Sequence, residues 1–427
     1  MGGLALLNGK VFVGGAVREA NVFTKGGKIA RIARSSRLSG EKAVDCTGLL
    51  VLPGVVDSHV HFREPGQSHK EDWATGSMAA AAGGVTTVID MPNNNPPATT
   101  AKRLAEKAGI AGKRSVVDFR LHFGAVPGNR AEIAKARGIA SVKVFMGSST
   151  GGLLLRRDED VLEAFKAAKR KGVPATVHAE DDQIVSEATR VAKESKWNDP
   201  SAHLLARPVS AAVLALWRAV LASAKAGSRL HILHVSSEAE LLELSEARAL
   251  GSLATCEVTP HHLFLDASRV RLLGSFAKVN PPIRSDRDRT ALLRALESGF
   301  IDTVASDHAP HTREEKRAPI LDAPSGVPGV QTLLPLLLNE CSKGSLSLAR
   351  AVEAASSKPA RIFSLGRKGR IAEGMDADLA VVDLRRERTI RDEDMLYKCG
   401  WTPFHGMAVK GTVEKTVSRG KLVFEGL

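Results

Sequence analysis

A chain of 427 residues, 43% apolar and 25% charged, has room for one large domain and a smaller one, and it is too apolar to stay disordered. A net charge of +13 would suit a nucleic-acid binder, but Lys and Arg are scattered and aromatics make up only 4%. The densest cluster, Arg385-Arg386-Glu387-Arg388, is broken by an acid and followed by Asp392-Glu393-Asp394. These features speak against nucleic acid as the partner and favour a small anionic one, whose encounter rate a basic surface raises.

The opening Met1–Lys10 lacks the basic start and long apolar core of a signal peptide, and no run approaches the roughly 18 apolar residues of a membrane helix. Cys46, Cys256, Cys341 and Cys399 are scattered and form no Cys-x-x-Cys pair. A soluble, cytoplasmic protein without disulfides is expected.

The segment up to about Leu52 is β-rich and punctuated by turns, with strands expected over Gly9–Val13 and Gly26–Ile32. The apolar run Leu49–Val56 reads as one buried strand, leading into Asp57-Ser58-His59-Val60-His61-Phe62-Arg63-Glu64-Pro65-Gly66. Strand side chains alternate, so His59 and His61 share a face, with Arg63 following on it. Paired imidazoles at a strand end suit zinc and its neighbours.

A helix is expected over Lys70–Ala82, then strands over Thr86–Met91, Ser115–Phe123, Ser141–Met146, Ala175–His178, Leu230–Val235, Ala254–Thr259 and Asp302–Ser306. Helical patterns such as Asp158–Lys171, Val209–Ala226, Ser237–Leu250 and Arg287–Ser298 lie between them. Eight apolar strands alternating with helices predict a closed (β/α)8 TIM-like barrel. A doubly wound sheet is the alternative, but no Gly-rich phosphate loop follows the first strand. Near the C-terminus, Gly369–Asp383 ends in a strand, and two more are expected at Lys410–Val413 and Gly420–Phe424. The expected division is a small β-sandwich domain from 1–52 and 370–427, and a barrel from 53–369.

In such a barrel the chemistry sits at the C-terminal strand ends. Those ends carry His59, His61 and Arg63; Met91-Pro92-Asn93; Lys143; His178 and Glu180; His234; and Asp307, His308 and His311. So many polar groups converging on one rim resist a purely structural explanation, because buried imidazole and ammonium groups are costly unless paired. Lys143 sits between the apolar Val142 and Val144. Either it pairs with an acid such as Asp90 or Asp307, or carbon dioxide converts it to a carbamate that can bridge two metals.

These motifs resemble the amidohydrolase superfamily, as does Gly-Arg-Ile-Ala-Glu-Gly-Met-Asp-Ala-Asp-Leu at 369–379. Asp57–Gly66 with Met91-Pro92-Asn93 is similar to dihydroorotases of the class I type. Further likenesses are Lys143–Gly151, Glu257–His262, Lys278–Pro282 and Ser306–His311. The resemblance implies zinc, with His59, His61 and Asp307 holding one ion, His178 and His234 the other, and a carbamylated Lys143 bridging them. Many bacterial class I dihydroorotases have an Asp at the bridging position instead.

The resemblance also implies that His61, Arg63, Asn93, Asn280, His311, Ser325 and Gly326 bind substrate, the last two through backbone contacts of the loop Ala323–Gly326. His262 is read as a supporting residue without a ligand role. The implied reaction is the reversible cyclisation of N-carbamoyl-L-aspartate to L-dihydroorotate, by hydroxide attack on the cyclic amide with Asp307 as the catalytic general base. Two rivals are another cyclic amidase (an allantoinase or a hydantoinase) and a non-catalytic scaffold for aspartate carbamoyltransferase. Self-association, and association with that transferase, stay open as partner readings.

Overall fold

The apolar run Leu49–Val56, expected as one strand, is two strands in the computed structural model, which describes residues 3–36, 40–148, 152–196 and 199–426. Leu50–Pro53 pairs with Leu379–Thr389 and Lys10–Val13 in an outer sheet. Val55–Val60 is the first barrel strand, β1. The break falls at Gly54, where a Cβ would lie 2.2 Å from Thr86 Oγ1, so only glycine fits.

The other barrel strands are β2 (Val85–Asp90), β3 (Asp118–Gly124), β4 (Ile139–Phe145), β5 (Ala175–His178), β6 (Leu230–Ile232), β7 (Thr255–Val258) and β8 (Thr303–Val304). Each pairs in parallel with its sequence neighbour, which gives the (β/α)8 order expected from the sequence. At the end of β1 and beyond β8, Val60 bridges to His308 and the His61 N–H donates to the His308 carbonyl at 2.8 Å. The barrel thereby closes beside the residues of interest.

The helices follow from local chemistry. Asp158–Lys171 opens with three acids and closes with Lys169, Arg170 and Lys171, which complements the helix dipole. It buries Val161, Ala164, Phe165 and Ala168 at helical spacing and ends at Gly172 in the left-handed region, φ +73°. The helix expected over Lys70–Ala82 starts at Trp73, because the Asp72 side chain accepts from the N–H groups of Ala74 and Thr75 and fixes the cap there.

Ser201–Ala226, at mean hydropathy 1.6, does reach the length and composition of a membrane span, against expectation. Its packing is that of a barrel helix: Ala211, Ala215, Leu216 and Ala219 are buried, and Val209–Ala226 lies against Asp158–Lys171 and β6.

Both chain ends build two outer sheets. One contains Leu4–Leu7, Asn21–Lys25, Lys28–Ala33 and Lys42–Asp45. The other contains Lys10–Val13, Ala16–Glu19, Leu50–Pro53, Leu379–Thr389, Ala408–Ser418 and Lys421–Glu425. They share a core of Leu6, Val11, Val22, Val51, Leu379 and Val417. The strand from Ala408 runs past the expected Lys410–Val413 to Ser418, with Thr416, Val417 and Ser418 buried, and Lys421–Glu425 lies one residue later than expected. Lys368 Nζ ties these sheets to the barrel, pairing with Asp118 at the start of β3, with Asp378 at 2.5 Å and with Asp376 at 3.3 Å. Arg419 also pairs with Asp118, and Arg367 with Asp376, so three cations balance the three acids.

Candidate metal centre and substrate cleft

His59, on β1, and His61, one residue past it, direct their Nε2 atoms at one carboxylate oxygen. Asp307 Oδ1 lies 3.1 Å from each. The opposite ring nitrogens are committed: His59 Nδ1 donates to Glu257 Oε1 at 2.8 Å, and His61 Nδ1 donates to Asn93 Oδ1 at 2.7 Å. Each bond puts the ring proton on Nδ1 and leaves an Nε2 lone pair facing inward. Burial pushes the His61 pKa down to about 3, so the ring is neutral. Burial also works to lower His59, but the charges of Asp307 and Glu257 outweigh it and raise its pKa. Two buried carboxylates around His59 thus call for positive charge, and two imidazole nitrogens with a carboxylate oxygen form a donor set that fits a divalent cation.

On the other side, His178 Nδ1 and His234 Nε2 lie 3.0 Å apart. His178 Nε2 donates to Glu180 Oε2 at 2.9 Å, and Arg207 holds Glu180 at 2.8 Å. Lys143 is buried with its Nζ 4.3 Å from the Phe145 ring centroid, and it forms no ion pair among the described residues. Burial brings its pKa down to about 7, against the opposing pull of Asp307 and Glu257. Asp90, a suggested partner, is paired with Lys107 instead. Arg63, His234 and Asp307 all adopt positive φ, at 59°, 39° and 44°. Three non-glycine residues in this costly region at one rim suggest geometry retained for function.

These side chains line a single cleft with Arg63, Asn93, Asn280, Ser325 and Gly326. Arg63 is 2% exposed; its Nε donates to the Pro310 carbonyl at 3.1 Å, and its Nη2 lies 3.1 Å from His311 Nε2. Burial pushes its pKa down to about 10, so it stays cationic at neutral pH. Among the described residues no carboxylate forms an ion pair with it. Asn280 Oδ1 is buried without a partner. At Gly326 a Cβ would sit 2.5 Å from the Ala309 carbonyl, and its N–H is already committed to the Lys278 carbonyl at 2.9 Å. His262 spends one ring nitrogen on Thr259 at 2.8 Å and the other on the Pro281 carbonyl at 3.0 Å, a supporting role. Ser149, Thr150 and Gly151 of the β4 motif lie outside the described residues.

The match to known proteins covers most of the chain. Residues 50–423 fit the Amidohydrolase family. The chain belongs to that family. Amidohydrolases are typically metal-dependent, which agrees with the donor set of His59, His61 and Asp307. A dihydroorotase of Methanosarcina acetivorans is 40% identical, spanning 98% of this chain and 91% of that one. An allantoinase of Rubrobacter xylanophilus is 38% identical over 99% of this chain and 94% of its own. L-hydantoinase (dihydropyrimidinase) from Arthrobacter aurescens superposes with a TM-score of 0.96 at 34% identity, covering 100% of this chain and 97% of that one.

Three supporting roles in this amidohydrolase went unread in the sequence, although Glu180 and Glu257 themselves stand in the motifs quoted above. Glu257 orients His59, Glu180 orients His178, and Lys107 neutralises Asp90. Glu257 stands on β7, where an acid between Cys256 and Val258 was the available signal, and Glu180 stands two residues past the end of β5. Lys107 lies on the amphipathic helix Ala101–Arg114, where lysines read as surface residues.

Proposed function

We propose that the chain is a dihydroorotase, interconverting N-carbamoyl-L-aspartate and L-dihydroorotate. The observation that carries this reading is Arg63, a buried guanidinium in the cleft wall with no acid partner among the described residues. A buried unpaired cation is costly, and a ligand carboxylate relieves that cost with two parallel bonds to the planar fork. Dihydroorotate carries a ring carboxylate, and allantoin and hydantoin do not. The likeness to an allantoinase and a hydantoinase keeps a neutral cyclic amide as the second reading, and Arg63 weighs against it. A scaffold without activity is disfavoured because every expected ligand position holds a ligand-type side chain.

The metal is proposed to be zinc, two ions per chain, with His59, His61 and Asp307 as one ligand set and His178 and His234 as the other. Lys143, converted to a carbamate, would bridge them. When bound, such ions supply Lewis acidity and lower the pKa of water to about 7. Asp307 is an anion at neutral pH, and so can hold a cation and receive a proton: burial alone would raise its pKa, but His59 and His61 outweigh this and hold it well below the usual carboxylate range. In the hydrolytic direction Asp307 takes the proton of the attacking water and returns it to the departing ring nitrogen, help worth roughly 10²–10⁴-fold. Arg63, Asn280 and His311 orient the ring. Asn93 lines the same cleft and binds the ring with them, while its Oδ1 also accepts from His61 Nδ1. We also propose the domain division 1–52 and 370–427 outside the barrel and 53–369 within it.

The test is a direct comparison of ring opening on dihydroorotate, allantoin and hydantoin, with metal analysis of the same sample. Turnover of dihydroorotate alone is the expected result. Preference for either neutral ring would overturn the reading.

A further inference from the structure

We infer that Lys316 is a positioning residue for ring binding: its buried ammonium, held by backbone carbonyls of two cleft-lining segments, sets the gap between Asn280 on one and Ser325 and Gly326 on the other. Its effect on turnover rests on the proposed dihydroorotase activity.

Lys316 closes the short helix Arg313–Lys316 and is fully buried. Its Nζ donates to the carbonyls of Lys278 at 3.1 Å, Pro324 at 3.0 Å and Gly326 at 3.0 Å. It forms no ion pair among the described residues, and the adjacent Glu315 is paired with Lys70 at 2.8 Å. An ammonium has three donors and no acceptor, so three carbonyls satisfy it in full. Burial, with Lys278 and Arg63 nearby, pushes its pKa down. A neutral amine, however, would bring only two protons and turn its lone pair on the third carbonyl, so the geometry calls for the charged form.

The carbonyls come from two parts of the barrel. Lys278 precedes Asn280 in the segment after β7, and Pro324 and Gly326 belong to the loop after β8. The Gly326 N–H adds a direct bond to the Lys278 carbonyl at 2.9 Å. His203, itself buried, donates from Nε2 to the Val279 carbonyl at 2.8 Å. The chain that carries Asn280 is thus gripped at both preceding residues. Asn280 lines the cleft, and its Oδ1 is buried without a partner. A ring held between Asn280 and the wall of Ser325 and Gly326 needs a fixed gap, and one cation shared by both segments fixes it. Without that charge, three carbonyl dipoles converge on one point with nothing to offset them, and the segments separate.

The experiment uses the metal-loaded full chain. Lys316→Met keeps most of the side-chain length but no donor. Hydrogen exchange should speed up about tenfold or more in peptides covering 323–327, while peptides of β2 and β4 keep their rates. The kcat/KM for dihydroorotate should fall about tenfold or more, with metal content unchanged. In an Asn280→Ala background the same replacement should cost no more than about threefold, because losses that act through one contact do not multiply. Unchanged exchange at 323–327, exchange that rises equally in the barrel strands, an unchanged kcat/KM, a loss of metal, or losses that multiply in full would each overturn the inference. Lys316→Gln keeps two donors and should fall between the other two proteins. If Lys316→Met does not fold, Lys316→Gln decides by the same exchange comparison and the same cycle. Should the unsubstituted chain not open dihydroorotate, the functional reading falls while the exchange measurement still judges Lys316.

Discussion

Glu257 accepts from His59 Nδ1 at 2.8 Å, and this bond decides which nitrogen of His59 faces the cleft. Glu257 also accepts from Ser58 Oγ at 3.0 Å, so β1 and β7 are clamped together beneath the candidate centre. Such partners of a ligating histidine fix its orientation and raise its basicity. Glu257→Gln keeps an acceptor but removes the charge. Metal affinity is expected to fall about 10–100-fold, read by dialysis against a graded chelator and elemental analysis. Full metal retention in Glu257→Gln would show that the bond contributes nothing.

Arg63 tests the choice of substrate. Removing the guanidinium leaves a carboxylate in a buried site without its partner, a loss of about 2–5 kcal/mol. Arg63→Ala should therefore raise the KM for dihydroorotate by orders of magnitude while leaving hydrolysis of a neutral cyclic amide unaffected or improved. Arg63→Lys should recover only part, because an ammonium cannot present two parallel donors. Steady-state kinetics on both substrates distinguish these outcomes, and near-normal dihydroorotate turnover at low concentration in Arg63→Ala would refute the assignment.

How much of this was legible beforehand depended on periodicity. His59 and His61 were readable because they stand two apart at a strand end, and the structure brings both Nε2 atoms to one oxygen. The barrel was readable because eight apolar runs alternate with amphipathic helices. The Leu49–Val56 run misled because one stretch of β-branched and leucine residues serves two sheets, and only the contact between Gly54 and Thr86 reveals the break. Asn93 stands in the cleft lining as a candidate substrate contact, and its Oδ1 also accepts from His61 Nδ1, a second role that the residue type does not reveal. Lys316 and Lys107 were invisible for a related reason: a lysine in a polar or amphipathic context reads as exposed, and only tertiary packing buries its amine.

Asp307 tests the chemistry. Asp307→Asn keeps the size and one oxygen near His59 and His61 but cannot take a proton. Turnover should collapse by about 10²–10⁴-fold, with part of the metal and substrate binding surviving. Rapid-quench turnover together with a binding titration makes the separation. A variant retaining more than about a tenth of the activity would assign the base elsewhere.

Lys143 is the last test and decides how many ions the centre holds. The two readings of this residue make different demands. An ammonium ion buried here needs an acid, but Asp90 is paired with Lys107, and Asp307 faces the two histidines of β1. No ion pair reaches Lys143 among the described residues, and burial brings its pKa down to about 7, so a substantial share of neutral amine exists near neutral pH. A neutral amine can add carbon dioxide, forming a carbamate and releasing one proton. The product is an anion where His178 Nδ1 and His234 Nε2 face each other at 3.0 Å without a carboxylate of their own between them. Intact mass measured under mild, non-acidic conditions should show one added carboxyl group, lost on acidification. Lys143→Ala should lose the second ion and nearly all activity, and short carboxylic acids should restore part of both by filling the vacated position. Fully active, metal-replete protein with an unmodified Lys143 would instead mean a single-ion centre built on His59, His61 and Asp307.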